Sequence, residues 1–202
     1  GSYKDAFHMF KVLIAREYDR HKDILKNGKI SDSERDLFHS ILTQKAEDAF
    51  YLDSIKFLSD IMVKYYNKNV IILIDEYDVP LENAFHQGFY TDMVNLIRSV
   101  FESALKTNPS LDRAFLTGCL RVSKESIFTG LNNLQIFSIM STKFDDSFGF
   151  TQEEINVMLE CYDLTDKSSD IAHWYDGYKF NDVDIYNPWS VLNYLSEAVV
   201  KR

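Results

Sequence analysis

Two acids, Asp75 and Glu76, follow directly on a run of five aliphatic residues, Val70–Ile74, and a third acid stands at Asp78. A carboxylate pair at the end of such a run suits phosphoryl-transfer chemistry. Asp75 would hold Mg²⁺ directly or through water, and Glu76 would orient or deprotonate the attacking water. That chemistry needs its carboxylates at the carboxyl end of a buried parallel strand, where open α/β sheets bind their ligands. The pattern is that of a Walker B element. Further along, Phe115-Leu116-Thr117-Gly118-Cys119-Leu120-Arg121 closes a second short apolar run. The Thr117 hydroxyl could polarise a terminal phosphate or the water, and Arg121 could neutralise charge that develops during transfer. The plain alternatives are solvated acids after a buried strand, a threonine that ends a strand by a local hydrogen bond, and an arginine paired with a surface acid.

Other chemistries are harder to write. The seven glycines are spread so thinly that the two closest, Gly118 and Gly130, are twelve positions apart, so neither G-x-G-x-x-G nor G-x-x-x-x-G-K-[ST] occurs in these residues. None of the five histidines, His8, His21, His39, His86 and His173, opens an H-E-x-x-H motif. Cys119 and Cys161 are too few for a zinc knuckle, and neither has a paired histidine nearby in sequence to make it a nucleophile. A metal-dependent phosphodiesterase or nuclease using Asp75, Glu76 and Asp78 is a different class. It lacks the lysine expected two residues after a second acid on an adjacent strand. Tyr77 and Phe128 could stack on a base or simply pack.

The elements that would carry these residues follow from periodicity. Phe7, Phe10, Leu13, Ile14 and Tyr18 recur at three- and four-residue steps, which predicts a helix, and Lys26-Asn27-Gly28 breaks the pattern. Ser31 and Glu34 have capping-box spacing and open a second helix through Leu42. A third helix is predicted over 47–66. Then the period changes: Val70–Ile74 reads as a strand buried on both faces, as in a parallel sheet. A helix over 90–106, a break at Asn108-Pro109-Ser110 and a strand over 113–117 complete a βαβ unit. A third strand is expected at 135–139, a capped helix from Thr151, another over 166–174, a hairpin over 178–186, and a last helix launched by Asn187-Pro188.

Composition bounds the class. Of 202 residues, 46% are apolar and 26% charged, as in a folded domain, and no apolar run approaches the roughly 20 residues that span a bilayer. The net charge of −9 disfavours binding to nucleic-acid backbones. Gly1-Ser2 reads as an expression remnant, so the native chain is expected to start earlier, and with no secretory leader and two cysteines the expected compartment is cytoplasmic.

Four blocks carry a resemblance: Ile71-Ile72-Leu73-Ile74-Asp75-Glu76-Tyr77-Asp78-Val79-Pro80; Leu116-Thr117-Gly118-Cys119-Leu120-Arg121 through Phe128; Gly130-Leu131-Asn132-Asn133-Leu134; and Trp174-Tyr175-Asp176-Gly177-Tyr178-Lys179-Phe180 with Tyr186-Asn187-Pro188-Trp189. In this order, over nearly all of residues 3–200, they resemble the bacterial AAA-ATPase-like family, whose members commonly join an ATPase-like domain to a C-terminal domain resembling PD-(D/E)xK nucleases. The resemblance implies an α/β fold with a partial P-loop NTPase core of the additional-strand type. The arginine-bearing strand would lie between the Walker A and Walker B strands. The implied division is a helical segment over 3–66, an α/β core over 67–148 and a mostly helical lid over 149–202.

By the same resemblance Asp75 binds Mg²⁺ and nucleotide, Glu76 is catalytic, and Thr117 with Arg121 are sensor-like. ATP and Mg²⁺ would serve the full-length protein. This chain lacks the phosphate-cradling loop, so these residues alone are expected neither to bind ATP tightly nor to turn it over. A non-hydrolysing homologue or a protein-interaction module remains the alternative. The strand at 113–117 would have an exposed edge, to be covered by a rearranged local segment, a second copy, or the missing part.

Overall fold

The helix starts are set by side chains that replace missing backbone partners. In the computed structural model, α1 (Tyr3–Arg20) opens with reciprocal hydrogen bonds between Ser2 and Asp5, and α2 (Asp32–Leu42) with the same exchange between Ser31 and Glu34. A 3₁₀ turn at Lys22–Lys26 separates them. Described are residues 1–26, 28–119, 127–128, 131 and 134–200, with Asp176 in its backbone only. They belong to two compact units, residues 1–133 and 134–202.

In the first unit the helix expected over 47–66 is two helices, α3 (Asp48–Leu52) and α4 (Ser54–Tyr66). The Ser54 hydroxyl takes the Tyr51 carbonyl (2.7 Å), the acceptor that the next amide of an unbroken helix would use. Tyr18, 1% exposed, donates its phenol to the Ser54 carbonyl (2.7 Å), and this burial pushes its pKa up. Around it Ile14, Ile24, Phe38, Ile41, Tyr51 and Ile61 form one core. Asn67, in the left-handed region at φ +55°, ends α4 and turns the chain into β1 (Val70–Ile74).

Two helices follow β1. The first, α5 (Val79–Gln87), begins with Pro80 in its first turn and stops at Gly88, φ +82°. The second, α6 (Tyr90–Phe101), runs on as a π-helical turn at Glu102–Lys106. Asn108 bonds back to the Ala104 carbonyl and forward to the Ser110 amide, and the Ser110 hydroxyl reaches Asp60 (2.6 Å). That anchored turn delivers β2 (Leu111–Leu116) beside β1, in parallel, with Ile72 opposite Ala114, Leu73 opposite Phe115 and Ile74 opposite Leu116. The βαβ unit is therefore present, and the unit is mixed α/β and mostly helical. A complete P-loop core needs more strands than the two paired here.

The expectation that β1 is buried on both faces is not met. Ile74 and Leu116 pack against Leu81, Met93, Leu96 and Val100 of α5 and α6, but on the other face Ile71 and Phe115 are each 55% exposed and Leu73 is 74% exposed. The helices of one crossover cover one face only.

The second unit has its own core of Ile155, Leu159, Leu164, Ile171, Tyr186, Val191 and Leu195. It is built from α7 (Gln152–Cys161), capped by Thr151 and Glu154, α8 (Ser168–Tyr175), the antiparallel hairpin β3 (Asp176–Phe180) and β4 (Val183–Tyr186), and α9 (Pro188–Val200). Asn181 at φ +51° makes the hairpin turn. The strand expected at 135–139 does not form: the segment is irregular and Ile136, Phe137 and Ile139 are exposed, with the Ile139 carbonyl accepting the Asn181 N–H (2.7 Å) outside any ladder. Among the described residues no helix is long and apolar enough to cross a membrane.

Candidate functional site

Because β1 and β2 are parallel and in register, their carboxyl ends coincide, and the residues just past each end meet. Thr117 donates its backbone N–H to the Ile74 carbonyl (2.9 Å), and its own carbonyl accepts from Tyr77 N–H (3.1 Å). This extension of the ladder brings the Thr117 hydroxyl onto Asp75 Oδ1 as a hydrogen-bond donor. The same oxygen accepts from the Glu76 backbone N–H (3.0 Å). Asp75, Glu76 and Thr117 are all exposed. Glu76 adopts φ +51°, the left-handed region that a side-chain-bearing residue enters at a cost of about 1–3 kcal/mol. The strand therefore ends sharply at the two acids.

Two residues hold that corner. Asp78, 3% exposed, starts α5, and Gly118 follows Thr117 so closely against it that a Cβ at 118 would stand 2.7 Å from Asp78 Oδ1 and 2.8 Å from Tyr77 Cε1. Only glycine fits there. The Tyr77 ring is held by Phe128 (centroids 5.3 Å apart) and Phe101 (6.5 Å), and Phe101 stacks on Phe128. Tyr77 and Phe128 thus pack on each other. Asp78-Val79-Pro80 is a helix-start signal that would have located α5 from sequence; the close approach at Gly118 has no signal in a single sequence.

Arg121 lies outside the described residues, as does all of 120–126. Cys119 is an exposed free thiol. Among the described residues no three His, Cys, Asp or Glu side chains converge as a metal-binding group. Asp75, Glu76 and Asp78 are not grouped as three protein ligands around one ion. One exposed carboxylate beside a hydroxyl does fit Mg²⁺, which keeps several waters and takes its remaining ligands from phosphate oxygens.

The family model of AAA-ATPase-like proteins, described as predicted AAA-ATPase, matches residues 4–128, more than half of the chain. The chain belongs to the AAA-ATPase-like family. In this AAA-ATPase-like chain the match takes in both strands, the acid pair, Thr117 and Arg121, and ends before the blocks at 174–180 and 186–189. A curated relative, "Uncharacterized protein in vnfD 5'region" of Azotobacter chroococcum mcd 1, is 28% identical over 126 residues, which is 62% of this chain and 24% of the relative. The chain thus spans about a quarter of that protein's length. No solved structure gives a significant match.

Proposed function

We propose that this chain carries the water-activating and sensing side of an ATP-hydrolysing site, whose phosphate-cradling loop comes from residues outside 1–202. The observation that carries the reading is the meeting of Thr117 and Asp75 at the joined carboxyl ends of two parallel strands. Ligands of open α/β sheets lie at that end. Asp75 would hold Mg²⁺ through its hydration shell, with the ion offsetting the charge of the β- and γ-phosphates. Glu76, exposed and beside it, is the base or orienting group for the attacking water. Thr117 fixes the Asp75 carboxylate and can turn its hydroxyl to a phosphate oxygen, and Arg121 supplies positive charge to the departing group.

Backbone amides and a lysine at a glycine-rich helix start provide most phosphate contacts in such sites, and these 202 residues contain no such motif. Residues 1–202 alone are therefore expected to give no micromolar ATP binding with Mg²⁺ by calorimetry. In the native-length polypeptide Glu76→Gln should lower ATP turnover by about 10²- to 10⁴-fold while nucleotide binding persists. Wild-type turnover in that variant, or ATP binding by residues 1–202 that Asp75→Ala abolishes, would refute the assignment. The reading of this chain as an interaction module is favoured by one observation, the bare apolar face of the sheet.

A further inference from the structure

The second unit contains a helix with more apolar surface than its own core uses. In α9 the side chains of Val191 and Leu195 are buried, and Tyr194 and Ala198 pack against the same core. Trp189, Leu192, Val199 and Val200 are apolar too, yet they are 43–82% exposed. At about 100° per residue, Ser190, Asn193 and Glu197 share an arc of roughly 60°, and the remaining circumference is apolar apart from Ser196. A surface helix normally turns a charged face to solvent. Here Glu197 is the one charged residue from Pro188 to Val200.

Spacing says what shape of partner fits. Positions 189, 192, 196 and 199 alternate steps of three and four, the seam of a heptad repeat, on which a second helix packs knobs into holes. Ser196, in the middle of that seam, leaves room for a large knob from the partner. Apolar residues scattered over a surface need no explanation, whereas a continuous stripe about 15 Å long marks an interaction site. Charge says what sort of helix. Residues 134–202 hold twelve Asp and Glu against five Lys and Arg, so −7 of the net −9 belongs to this unit. Glu197 stands at the rim of the stripe, and Asp170 of α8 meets α9 by accepting the Tyr194 hydroxyl (3.2 Å). A second copy would bring like charge onto like charge, and an anionic lipid surface would do the same. Helices that lie on membranes carry Lys and Arg on their polar face, and α9 holds neither.

We propose that the α9 stripe of Trp189, Leu192, Ser196 and Val199 is a docking surface for a basic amphipathic helix of a partner protein. The partner's apolar seam lies along the stripe, and its Lys and Arg side chains face Glu197 and the other acids of the unit. Trp189 is the anchor, since an indole is the residue type that most often dominates the energy of an interface. The proposal is independent of the ATP-hydrolysis reading, which rests on Asp75 and Thr117 in the first unit. A polypeptide that hydrolyses no ATP yet binds such a helix would refute the preceding section and leave this inference intact.

The probe is a synthetic helix of about 21 residues with Leu on a heptad seam and Lys and Gln elsewhere; its twin has Glu in place of every Lys. Each is labelled with a fluorophore and titrated with residues 1–202 in about 0.15 M salt, with anisotropy as the readout. The Lys helix should bind, and the Glu twin should bind about tenfold more weakly or worse. Leu192→Asp and Val199→Asp, both at exposed positions, should each weaken the Lys helix by about tenfold or more although each adds a negative charge, with urea midpoints unchanged. Glu197→Lys should weaken the Lys helix and strengthen the twin. No binding of the Lys helix, equal binding of the twin, or binding that Leu192→Asp leaves unchanged or tightens would overturn the proposal. So would a dimer mass that Leu192→Asp converts to monomer, which would assign the stripe to a second copy. Partition into phosphatidylglycerol vesicles that Leu192→Asp abolishes would assign it to lipid instead. In the native-length polypeptide Leu192→Cys, with Cys119→Ser and Cys161→Ser, should react freely with a maleimide as read by peptide mapping. Protection there without added helix would show that the polypeptide covers the stripe itself and would also overturn the proposal.

Discussion

Gly118→Ala places one methyl group where the structure leaves no room. The added carbon would stand 2.7 Å from Asp78 Oδ1, 3.1 Å from Asp78 Cγ and 2.8 Å from Tyr77 Cε1. Asp78 has a short side chain with two rotatable bonds, and Tyr77 Cε1 belongs to a rigid ring. Asp78 is 3% exposed, and the Tyr77 ring is wedged against Phe128 and Phe101. Overpacking generally costs about 1–3 kcal/mol, and with both neighbours pinned a loss of about 2 kcal/mol is expected for the first unit. With a urea dependence of about 2 kcal/mol per molar, the midpoint should fall by about 1 M. Far-UV circular dichroism reads this transition. Both tryptophans, Trp174 and Trp189, lie in the second unit, so their fluorescence reports that unit and should hold its midpoint. The double variant with Asp78→Ala supplies the stricter criterion. If the contact is the cause, the two losses should fall short of additivity by about 1 kcal/mol. An unchanged midpoint in Gly118→Ala, or strictly additive losses, would refute the packing argument.

Two further outcomes concern the first helices. The Lys64 ammonium hydrogen-bonds the Glu34 carboxylate and, with Ser31, holds its pKa below the usual glutamate value, about 4.3 in an unfolded chain. A depressed folded value stabilises the fold above the unfolded pKa, and that stability is lost as pH falls through the folded one. Wild type should therefore lose about 0.5 kcal/mol more than Glu34→Gln between pH 5 and roughly pH 3, with the gap narrowing in 1 M salt; parallel acid titrations of the two would count against it. Tyr18→Phe should cost about 1–3 kcal/mol in urea unfolding, because it strips the Ser54 carbonyl of its buried donor; a loss under 0.5 kcal/mol would mean that water replaces it.

Local signals were the readable part of the sequence. Ser31 with Glu34 and Thr151 with Glu154 predict helix starts, and both pairs exchange their hydrogen bonds as expected. Asn187-Pro188 and the Asn181 turn were equally legible, since one or two residues decide them. The Ser2–Asp5 box was not, because aspartate stands where the pattern has glutamate or glutamine. Where the answer depends on distant residues, the pattern misled. Val70–Ile74 is apolar throughout, and that composition describes a strand covered on both sides, whereas among the described residues Ile71 and Leu73 stay exposed. Residues 135–139 are apolar enough for a strand, yet they join neither of the two sheets among the described residues. At the candidate site, Asp75, Glu76 and Thr117 could be named from type and spacing. Their convergence depends on strand register, and the support from Asp78 and Gly118 on a close approach, neither of which local sequence encodes.

The ladder between β1 and β2 also sets a schedule for synthesis. Ile74 waits for Leu116, 42 positions later, before its carbonyl-end neighbour exists. At about 5–20 residues per second that is an interval of roughly 2–8 s in which a five-residue aliphatic strand has left the ribosome unpaired. The helices that form in the meantime, α5 and α6, can shield one side of it. On the other side the nascent chain shows Ile71 and Leu73 to whatever binds apolar segments in the cell, so translation rate and chaperone supply should govern the yield of this protein more than the stability of its finished fold.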